Sequence, residues 1–361
     1  KRMPEQEVLL RVEHLCQYFK TNKAVDDVSF DIKKGEVFGL VGESGCGKTT
    51  TGRSIIKLYD ITSGNIYFKG KRIAAGVGSY KQAIAQARQE MKTADAPRKE
   101  ELKRFIAQQQ QEMKAARFDH THCDKIHDDL AQEVDRKYQP LLEKATGEEL
   151  TRLKKEYAEQ RRIAKKQRYI TQIQMIFQDP YACLSPRMTV SQLISEGWGL
   201  NHAIHMSAEE KRDRVIELLE TVGLNEEHAN RFPHEFSGGQ RQRIGIAKAL
   251  SLKPEFIVCD EPVSALDVSI QAQILNLIRE LQNELGLTSL FVGHGLGAVR
   301  YVSDRIAVMY LGKIVEIADA GEVFMHPVHP YTKALTQAAP VADPGRREEK
   351  SAVLTGEVAS A

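Results

Sequence analysis

A glycine-rich segment near the N-terminus has the residue types and the spacing of a loop that binds phosphate groups. It follows an apolar run of strand length at residues 37–40, and its members are Gly42, Glu43, Ser44, Gly45, Cys46, Gly47, Lys48, Thr49 and Thr50. Glycines let the backbone wrap so closely that successive N–H groups point at phosphate oxygens, and the N-terminus of a following helix adds partial positive charge. In such a loop Lys48 reaches the β- and γ-phosphates, and the Thr49 hydroxyl binds Mg²⁺. Because an apolar helical pattern follows, we interpret the segment as a nucleotide-phosphate loop rather than as a chance glycine-rich turn.

An acidic pair lies at the end of another apolar run. Asp260 and Glu261 follow residues 256–259, and ligands of open α/β sheets bind at the carboxyl ends of the strands. There, Asp260 would hold Mg²⁺ through water, and Glu261 would accept a proton from an attacking water or orient it. Such a pair alone is most often a solvated turn. Together with the phosphate loop it predicts a site that hydrolyses a nucleotide.

A short glycine-containing turn opens an amphipathic helical pattern, and its residues are Ser237, Gly238, Gly239 and Gln240. A helix N-terminus with free N–H groups suits an anion, although the same four residues could be a helix cap alone. In order with the other two motifs, the turn resembles the Ser-Gly-Gly-Gln signature of ATP-binding-cassette (ABC) ATPases. The resemblance implies that this turn binds the γ-phosphate of ATP held on an opposite cassette, so that hydrolysis needs a head-to-tail dimer.

Further residues match the same family in chain order. The resemblance implies that Gln178 senses Mg²⁺ and the attacking water, that Asp267 belongs to a loop crossing the dimer interface, and that His294 contacts the γ-phosphate. It also places Phe19, or its neighbour Tyr18, where an aromatic ring stacks on adenine, with a core aromatic as the alternative. The implied cofactors are ATP and Mg²⁺.

Longer segments narrow the resemblance to the oligopeptide and dipeptide importer subfamily. It covers about 1–73 and 169–345, and the segments that carry it are 42–55, 177–190, 258–270 and 329–335. Residues 52–54 look like the F-type member of the two unlike ATPase subunits that pair in such importers. The subfamily implies an ATP-hydrolysing energy-coupling subunit, peripheral on the cytoplasmic face of the membrane. Its implied partners are an unlike ATPase subunit, two transmembrane permease subunits and, indirectly, an extracellular peptide-binding protein, with no nucleic acid.

The elements that must position these residues alternate between strand and helix. β-Branched and apolar runs predict strands at 8–12, 28–32, 36–41, 64–69, 172–177, 255–260, 289–292 and 305–309. Helical patterns such as 241–250 and 270–285 lie between the later runs, so we predict an α/β fold with a largely parallel sheet covered by helices. The resemblance adds the cassette architecture: a RecA-like core with a mixed or parallel sheet, an antiparallel β subdomain, and a helical subdomain at about 183–250.

A charged stretch interrupts this pattern. The chain of 361 residues holds 51 basic and 49 acidic residues, but 21 of the basic and 16 of the acidic ones lie within 81–168. Helix-forming residues dominate there, and apolar residues recur at helical spacing at Ile126, Leu130, Val134, Tyr138 and Leu141. We predict an inserted charged hairpin or small bundle of three or four helices, with a disordered linker as the alternative because the apolar stripe is thin.

These observations predict three regions. The cassette comprises 1–73 and 169–330, the inserted helical region comprises 74–168, and a shortened C-terminal extension of the importer type comprises 331–361.

The insertion contains a cluster of residues that could bind metal: Asp119, His120, His122, Cys123, Asp124, His127 and Asp128. The spacing of His122 and His127 does not place two ligands on one helical face, and no second cluster accompanies it. We therefore favour a polar turn between two helices over a metal site. The basic residues of 161–168 are better explained by a solvated helical face than by binding to lipid headgroups or nucleic acid.

Composition limits the remaining functions. No stretch approaches 18 consecutive apolar residues, and five scattered cysteines without a CxxC pair argue against a disulfide framework or a structural zinc site. Two alternatives to the importer subunit remain: a soluble ABC ATPase of the nucleic-acid or ribosome-associated class, and a nucleotide-binding regulatory subunit with weak hydrolysis. The second is motivated by Gly293 and Gly295, which flank His294 where the family usually has Ser and Asp.

Overall fold

The computed structural model describes residues 7–123, 128–166, 169–200 and 206–338. Within them the chain forms two compact units. The first comprises residues 7–121, 256–264 and 275–338, and the second comprises the described parts of 122–255 together with 265–274. No helix in these ranges combines the length and the apolar character needed to cross a membrane.

The first unit contains an antiparallel sheet built from four strands: β1 (Val8–Phe19), β2 (Asn22–Lys33), β4 (Ser63–Phe68) and β5 (Lys71–Val77). Their order is β2-β1-β4-β5, and neighbouring strands run antiparallel. The hairpin between β4 and β5 turns at Lys69 and Gly70, both of which have positive φ, as a two-residue hairpin turn of the primed type requires.

Five further strands of the first unit lie side by side in the order β10-β9-β3-β8-β7. They are β3 (Val37–Val41), β7 (Phe256–Asp260), β8 (Thr288–Gly293), β9 (Arg305–Tyr310) and β10 (Lys313–Asp319). β3 is parallel to β8 and β9, β7 is parallel to β8, and β9 forms an antiparallel hairpin with β10. Every residue of β3, β7 and β8 is buried, which explains why apolar residues dominate their sequences. The carboxyl ends of β3, β7 and β8 meet at one edge, where ligands bind in such sheets.

Short helices follow these strands in the first unit: α1 (Lys48–Ile55), α11 (Leu296–Val302), α12 (Ala320–Met325) and α13 (Pro330–Gln337). A longer helix, α10 (Val268–Leu285), begins in the second unit and continues into the first. The α/β fold predicted from the alternation of strands and helices is therefore present.

Most of the described residues of 78–166 lie in four helices. The helices are α2 (Gly78–Glu90), α3 (Ala96–His122), α4 (Asp128–Lys144) and α5 (Gly147–Lys166). The strand that precedes them ends at Val77 rather than near Ile73, so the helices begin at Gly78.

Helices α4 and α5 pack against each other as a hairpin. The Tyr138 hydroxyl donates to Glu156 (2.8 Å), and Asp135 accepts hydrogen bonds from the Tyr157 hydroxyl (2.8 Å) and the Arg161 guanidinium (2.9 Å). In the predicted apolar stripe, Leu130 and Tyr138 are buried, Val134 is half-buried and Leu141 is exposed, while Ile126 lies outside the described residues. Polar contacts thus supplement a thin apolar seam.

The prediction of a polar turn around residues 119–128 is wrong for residues 119–122, which are helical. Asp119, His120 and His122 belong to α3, because the helix continues to His122. Asp124 and His127, and the side chain of Asp128, lie outside the described residues. Among the described residues no group of three or more His, Cys, Asp or Glu side chains is arranged to hold a metal ion.

The second unit also contains β6 (Ile173–Ile176) and the helices α6 (Pro180–Cys183), α7 (Val190–Leu200), α8 (Ala208–Thr221) and α9 (Gly238–Leu250). Helix α9 is mostly buried and contacts β6, α6, α7 and α8. The Trp198 indole N–H of α7 donates to the Ser251 carbonyl just after α9 (3.0 Å). These contacts make α9 the centre of this unit's helical part.

Candidate functional site

The glycine-rich loop connects the buried strand β3 to α1. Gly42 and Gly47 both have positive φ (155° and 106°). A Cβ atom on Gly42 would lie 2.2 Å from the Met309 carbonyl oxygen, and one on Gly47 would lie 2.2 Å from the Ala24 carbonyl oxygen. Only glycine fits either place, because the backbones of neighbouring strands press against the loop.

Lys48, the first residue of α1, folds back over the loop. Its buried ammonium group donates to the carbonyl oxygens of Gly42 (2.9 Å) and Glu43 (2.8 Å) and lies 3.9 Å from a Glu261 carboxylate oxygen. The loop therefore holds a positive charge beside the free N–H groups at the start of a helix. That combination suits a polyanion.

The remaining loop residues line the same turn. Ser44 and Gly45 are exposed, Cys46 is buried, and Thr50 lies in the first turn of α1. Burial raises the pKa of the Cys46 thiol, whose sulfur lies 3.9 Å from the Lys48 ammonium. The thiol therefore stays protonated and leaves the positive charge of Lys48 available.

Thr49 and Asp260 meet across the edge of the sheet. The Thr49 hydroxyl donates to Oδ1 of Asp260 (2.7 Å). Asp260, at the end of β7, is fully buried, and its Oδ2 accepts no hydrogen bond from the described residues although the Arg53 guanidinium lies 3.9 Å away. Burial raises the pKa of Asp260. A buried carboxylate oxygen without a donor, next to a hydroxyl, provides the hard oxygen ligands that Mg²⁺ prefers, so these residues fit the ion.

Glu261 lies between Lys48 and His294. Its Oε2 lies 3.3 Å from Nδ1 of His294, and its side chain is only 13% exposed, whereas that of His294 is 60% exposed. Glu261 adopts a left-handed backbone conformation (φ 46°), and its N–H donates to the Val292 carbonyl (3.0 Å). A non-glycine residue in that conformation is uncommon and costs free energy, which the neighbouring strand's hydrogen bond helps to offset.

The glycines that flank His294 have different reasons to be glycine. A Cβ on Gly293 would lie 2.7 Å from a methyl group of Val299, whereas a Cβ on Gly295 would have no atom within 4 Å. Packing of α11 against β8 thus explains Gly293. Nothing in the structure explains Gly295.

The aromatic residues predicted for adenine stacking are now distinguishable. The Tyr18 hydroxyl donates to Asp26 (2.5 Å), and this tyrosine is half-buried. Phe19 is 42% exposed, and its ring meets the Tyr59 ring edge-on with 5.2 Å between centroids. Phe19 is therefore the more exposed of the two rings.

The other predicted site residues belong to the second unit. Gln178 follows β6, and Asp267 directly precedes α10. Ser237 caps α9 by accepting a hydrogen bond from the Gln240 N–H (3.3 Å), while the Gln240 side chain accepts one from the Ser237 N–H (3.0 Å). This reciprocal cap leaves Gly238 and Gly239 in the first turn of a 13-residue helix.

Sequence reasoning missed three residues that the structure brings to the site: Arg53, Tyr59 and Tyr331. The Tyr331 hydroxyl accepts a hydrogen bond from the Glu43 N–H (2.9 Å), although 288 positions separate the two residues in the sequence. The segment 329–335 is a visible motif. Nothing local in it, however, indicates contact with the phosphate loop.

Comparison with known proteins now identifies the family. The profile of the ABC transporter family matches residues 25–141 and 136–264, and that of the oligopeptide/dipeptide transporter C-terminal region matches 315–361. The chain belongs to the ABC transporter family. Members of this family are ATPases that bind ATP with Mg²⁺, which confirms the predicted activity and cofactors.

Curated relatives of this ABC protein agree with the profiles. The oligopeptide transport ATP-binding protein OppF of Bacillus subtilis is 46% identical over 94% of this chain and 84% of its own length. The dipeptide transport ATP-binding protein DppF of Lactococcus lactis is 41% identical over 92% of this chain and 80% of its own length. The predicted resemblance to ATP-binding subunits of oligopeptide and dipeptide transporters is confirmed.

Solved structures confirm the fold class. The cbiO1 protein of Clostridium perfringens, part of the ABC transporter complex cbiONQ, superposes with a TM-score of 0.57 at 22% identity, covering 89% of this chain and 92% of that one. The ATP-binding cassette MJ0796, in a dimeric post-hydrolysis state bound to ADP and Pi, gives a TM-score of 0.55 at 22% identity. It covers 86% of this chain and 99% of that chain.

Proposed function

We propose that this chain is the ATP-hydrolysing, energy-coupling subunit of a membrane importer for oligopeptides or dipeptides. One observation carries the proposal: the C-terminal region typical of oligopeptide and dipeptide transporters lies on the same chain as a contacting group of Lys48, Thr49, Asp260, Glu261 and His294. The two curated relatives are named for oligopeptide or dipeptide transport. This chain matches 84% and 80% of their own lengths, which supports the same function.

The chemistry begins with the phosphate loop. On ATP binding, Lys48 leaves the carbonyls of Gly42 and Glu43 for the β- and γ-phosphates, and the loop N–H groups of residues 45–48 bind the phosphate oxygens. Thr49 and Asp260 hold Mg²⁺, which when bound neutralises negative charge on the phosphates. Phe19 stacks on the adenine ring.

Glu261 is the catalytic carboxylate of this proposal. Its position between the Lys48 ammonium and the His294 ring lets it orient a water molecule toward the γ-phosphate and accept its proton. His294 is largely exposed and lies on the other side of Glu261 from Lys48. In this proposal it contacts the γ-phosphate. Gln178, in the second unit, occupies the family position of the residue that senses Mg²⁺ and the attacking water.

The second unit contains the residues that this proposal assigns to contacts with a partner cassette. Ser237, Gly238, Gly239 and Gln240 bind the γ-phosphate of ATP on an opposite cassette through the N-terminus of α9, and Asp267 lies in the segment that crosses the interface. We propose an unlike ATPase subunit as the partner, in a head-to-tail dimer in which this chain is the F-type member. The pair binds two permease subunits on the cytoplasmic face of the membrane through the loop of Gln178, and a peptide-binding protein delivers the substrate.

The same proposal assigns the regions. Residues 1–73 and 169–330 form the cassette with its helical subdomain at about 183–250, residues 74–168 form the inserted helical region, and 331–361 form the C-terminal extension. Residues 339–361 of that extension lie outside the described residues.

The function is tested in cells that carry either the wild-type chain or Glu261→Gln in place of the chromosomal copy. Uptake of a radiolabelled tripeptide should fall to background in the variant, while uptake of the corresponding free amino acid should stay unchanged. Equal peptide uptake by the two strains would overturn the proposal. Purification from native membranes should bring down permease subunits and a second ATPase subunit, whereas recovery of nucleic acid or ribosomes would favour the soluble class of ABC ATPase.

Single-turnover hydrolysis separates an active subunit from the regulatory alternative that Gly293 and Gly295 motivated. Loss of a general base costs about 10²- to 10⁴-fold in rate. In the transporter complex purified from native membranes, which contains the partner cassette, we therefore expect Glu261→Gln to slow phosphate release from bound ATP by at least about 100-fold while ATP remains bound. A wild-type rate as slow as that of the variant would support the regulatory subunit.

A further inference from the structure

The segment just before α13 is fastened to β10. The Glu316 carboxylate of β10 accepts hydrogen bonds from the N–H groups of Val328 (3.0 Å) and His329 (2.9 Å). His329 in turn caps the helix, because its Nδ1 accepts from the Tyr331 N–H (3.2 Å), and Pro330 occupies the first helical position. The motif of His329, Pro330 and Tyr331 therefore fixes where α13 starts and how Tyr331 is directed.

Tyr331 is buried, with 6% of its surface exposed. Its ring packs against that of Tyr310, the last residue of β9, with 4.4 Å between centroids. Burial raises the pKa of Tyr331 to about 12, so the hydroxyl is neutral at physiological pH. The buried ring points its hydroxyl at the phosphate loop.

The peptide groups of Glu43 are held from two sides. Its N–H donates to the Tyr331 hydroxyl (2.9 Å), and its carbonyl accepts from the Lys48 ammonium (2.8 Å). On the same side of the loop, the Gly312 N–H in the β9–β10 turn donates to the Cys46 carbonyl (3.0 Å). Helix α13 and the β9–β10 turn thus both contact the backbone of the phosphate loop.

We infer that Tyr331 is a positioning residue of the nucleotide site, through which the C-terminal region of the importer type controls the phosphate loop. This inference rests on the ATP-binding part of the proposed function. When Lys48 turns to the phosphates, the Gly42 carbonyl loses its ammonium donor, and the Glu43 carbonyl keeps only the longer hydrogen bond from the Cys46 N–H (3.3 Å). The Tyr331 hydroxyl then keeps the Glu43 peptide in place, so that the loop does not reorient and the N–H groups that follow stay directed at the phosphates.

The test compares Tyr331→Phe with the matched control Tyr310→Phe in the purified full-length chain. Each variant removes one hydroxyl from the same ring pair, but only the first removes the acceptor of the Glu43 N–H. From the usual net contribution of one hydrogen bond, Tyr331→Phe should weaken the binding of a fluorescent ATP analogue by about three- to tenfold. In the transporter complex purified from native membranes, which supplies the partner cassette, we expect KM for ATP to rise by a similar factor with kcat nearly unchanged. Tyr310→Phe should match the wild type in both measurements.

A second measurement does not depend on affinity. Amide hydrogen exchange of a peptide that spans 42–47 should be faster in nucleotide-free Tyr331→Phe than in the wild type and in Tyr310→Phe. Wild-type affinity together with unchanged exchange would overturn the inference. So would an equal loss of affinity in both tyrosine variants.

Lys48→Ala separates this inference from the assignment of the nucleotide site. If Lys48→Ala binds the analogue as well as the wild type does, the site assignment itself is wrong. If Lys48→Ala loses binding while Tyr331→Phe keeps it, only the role of Tyr331 is wrong. Peptide uptake does not enter either comparison.

Discussion

The Arg72 guanidinium of β5 donates two hydrogen bonds to one carboxylate oxygen of Asp119, at 2.9 Å from Nε and 2.6 Å from Nη2. The contact fixes the C-terminal end of α3 on the antiparallel sheet. The next residue, His120, adds three contacts: its carbonyl accepts from the Lys57 ammonium (2.9 Å), its Nδ1 accepts from the Ala75 N–H (3.3 Å), and its Nε2 faces Asp60 (3.2 Å). The C-terminal end of α3 is therefore attached beside the segment that follows α1, which includes Tyr59.

We predict that Asp119→Asn and Arg72→Met each lower the melting temperature and that their effects are not additive. Because both side chains are partly shielded from water, the coupling free energy should be about 1 kcal/mol in a double-mutant cycle by urea unfolding. The control pair is Glu100 with Lys103, an ion pair of 3.5 Å on the exposed part of the same helix. That pair should show almost no coupling, and equal coupling in both pairs would contradict a specific role for the Arg72 contact.

The buried carboxylate of Asp260 should lower the stability of the nucleotide-free protein while it supports the binding of Mg²⁺. Asp260 is fully buried with one oxygen that accepts no hydrogen bond from the described residues, and burial raises its pKa. Asp260→Asn removes the charge but keeps an oxygen for the Thr49 hydroxyl. We expect the nucleotide-free variant to melt roughly 2–4 °C higher, the shift that about 1 kcal/mol produces in a domain of this size.

The same variant should lose its response to Mg²⁺. In the wild type, ATP with Mg²⁺ should raise the melting temperature more than ATP with a chelator, and in Asp260→Asn this difference should vanish. Glu261→Gln serves as the control, because it leaves Thr49 and Asp260 intact and should keep the difference. A lower melting temperature of Asp260→Asn without nucleotide would show that the buried charge is stabilised by more than the Arg53 guanidinium.

The two glycines beside His294 should respond differently to the residues that the family usually has there. Gly293→Ser places a Cβ 2.7 Å from the Val299 side chain, so we expect a loss of about 1–3 kcal/mol in unfolding free energy. Gly295→Asp meets no atom within 4 Å and stands at the N-cap of α11, so its stability should be unchanged or slightly increased. Urea unfolding of both variants decides the matter, and an equal loss in both would contradict the packing explanation for Gly293.

The residues of the phosphate loop, the acidic pair and the signature turn could be predicted because each motif sits directly after its own strand or before its own helix. The spacing then predicts which groups of the phosphate loop and the acidic pair face a nucleotide, whereas His294 is predicted only from the family resemblance. The structure places Lys48, Thr49, Asp260, Glu261 and His294 in one unit. Contacts between distant segments left no such signal. Two examples are the hydrogen bonds from Glu43 to Tyr331 and from Lys57 to His120. Both depend on how the strands pair, and no short stretch of sequence predicts that pairing.

The cluster at 119–128 shows a different reason for error. Its polar residues favoured a turn, since Asp, His and Thr have low helix propensity. Tertiary contacts of Asp119 and His120 outweigh that preference, and α3 continues to His122. The strand β5 likewise extends to Val77 because Gly76 and Val77 pair with β4, although neither residue is part of a clear strand pattern.

Glu316 gives the attachment of α13 a pH dependence. Burial alone would raise the pKa of this carboxyl, but hydrogen bonds that include those from the Val328 and His329 N–H groups outweigh it and lower the pKa below the ordinary value of 4.5. A carboxyl whose pKa is lower in the folded state stabilises the fold fully above the unfolded pKa and loses that contribution as the pH falls through the folded pKa.

We therefore expect the free energy of unfolding to decline below about pH 4.5, and Glu316→Gln to flatten this decline while lowering stability at pH 7. Glu322→Gln is the control and should retain the acid decline, because the exposed Glu322 carboxylate lies 3.1 Å from Nδ1 of the exposed His326 and makes no backbone contact like that of Glu316 among the described residues. Parallel pH profiles for the wild type and Glu316→Gln would mean that other carboxyl groups account for the acid sensitivity, and α13 would then be held mainly by the packing of Tyr331 against Tyr310.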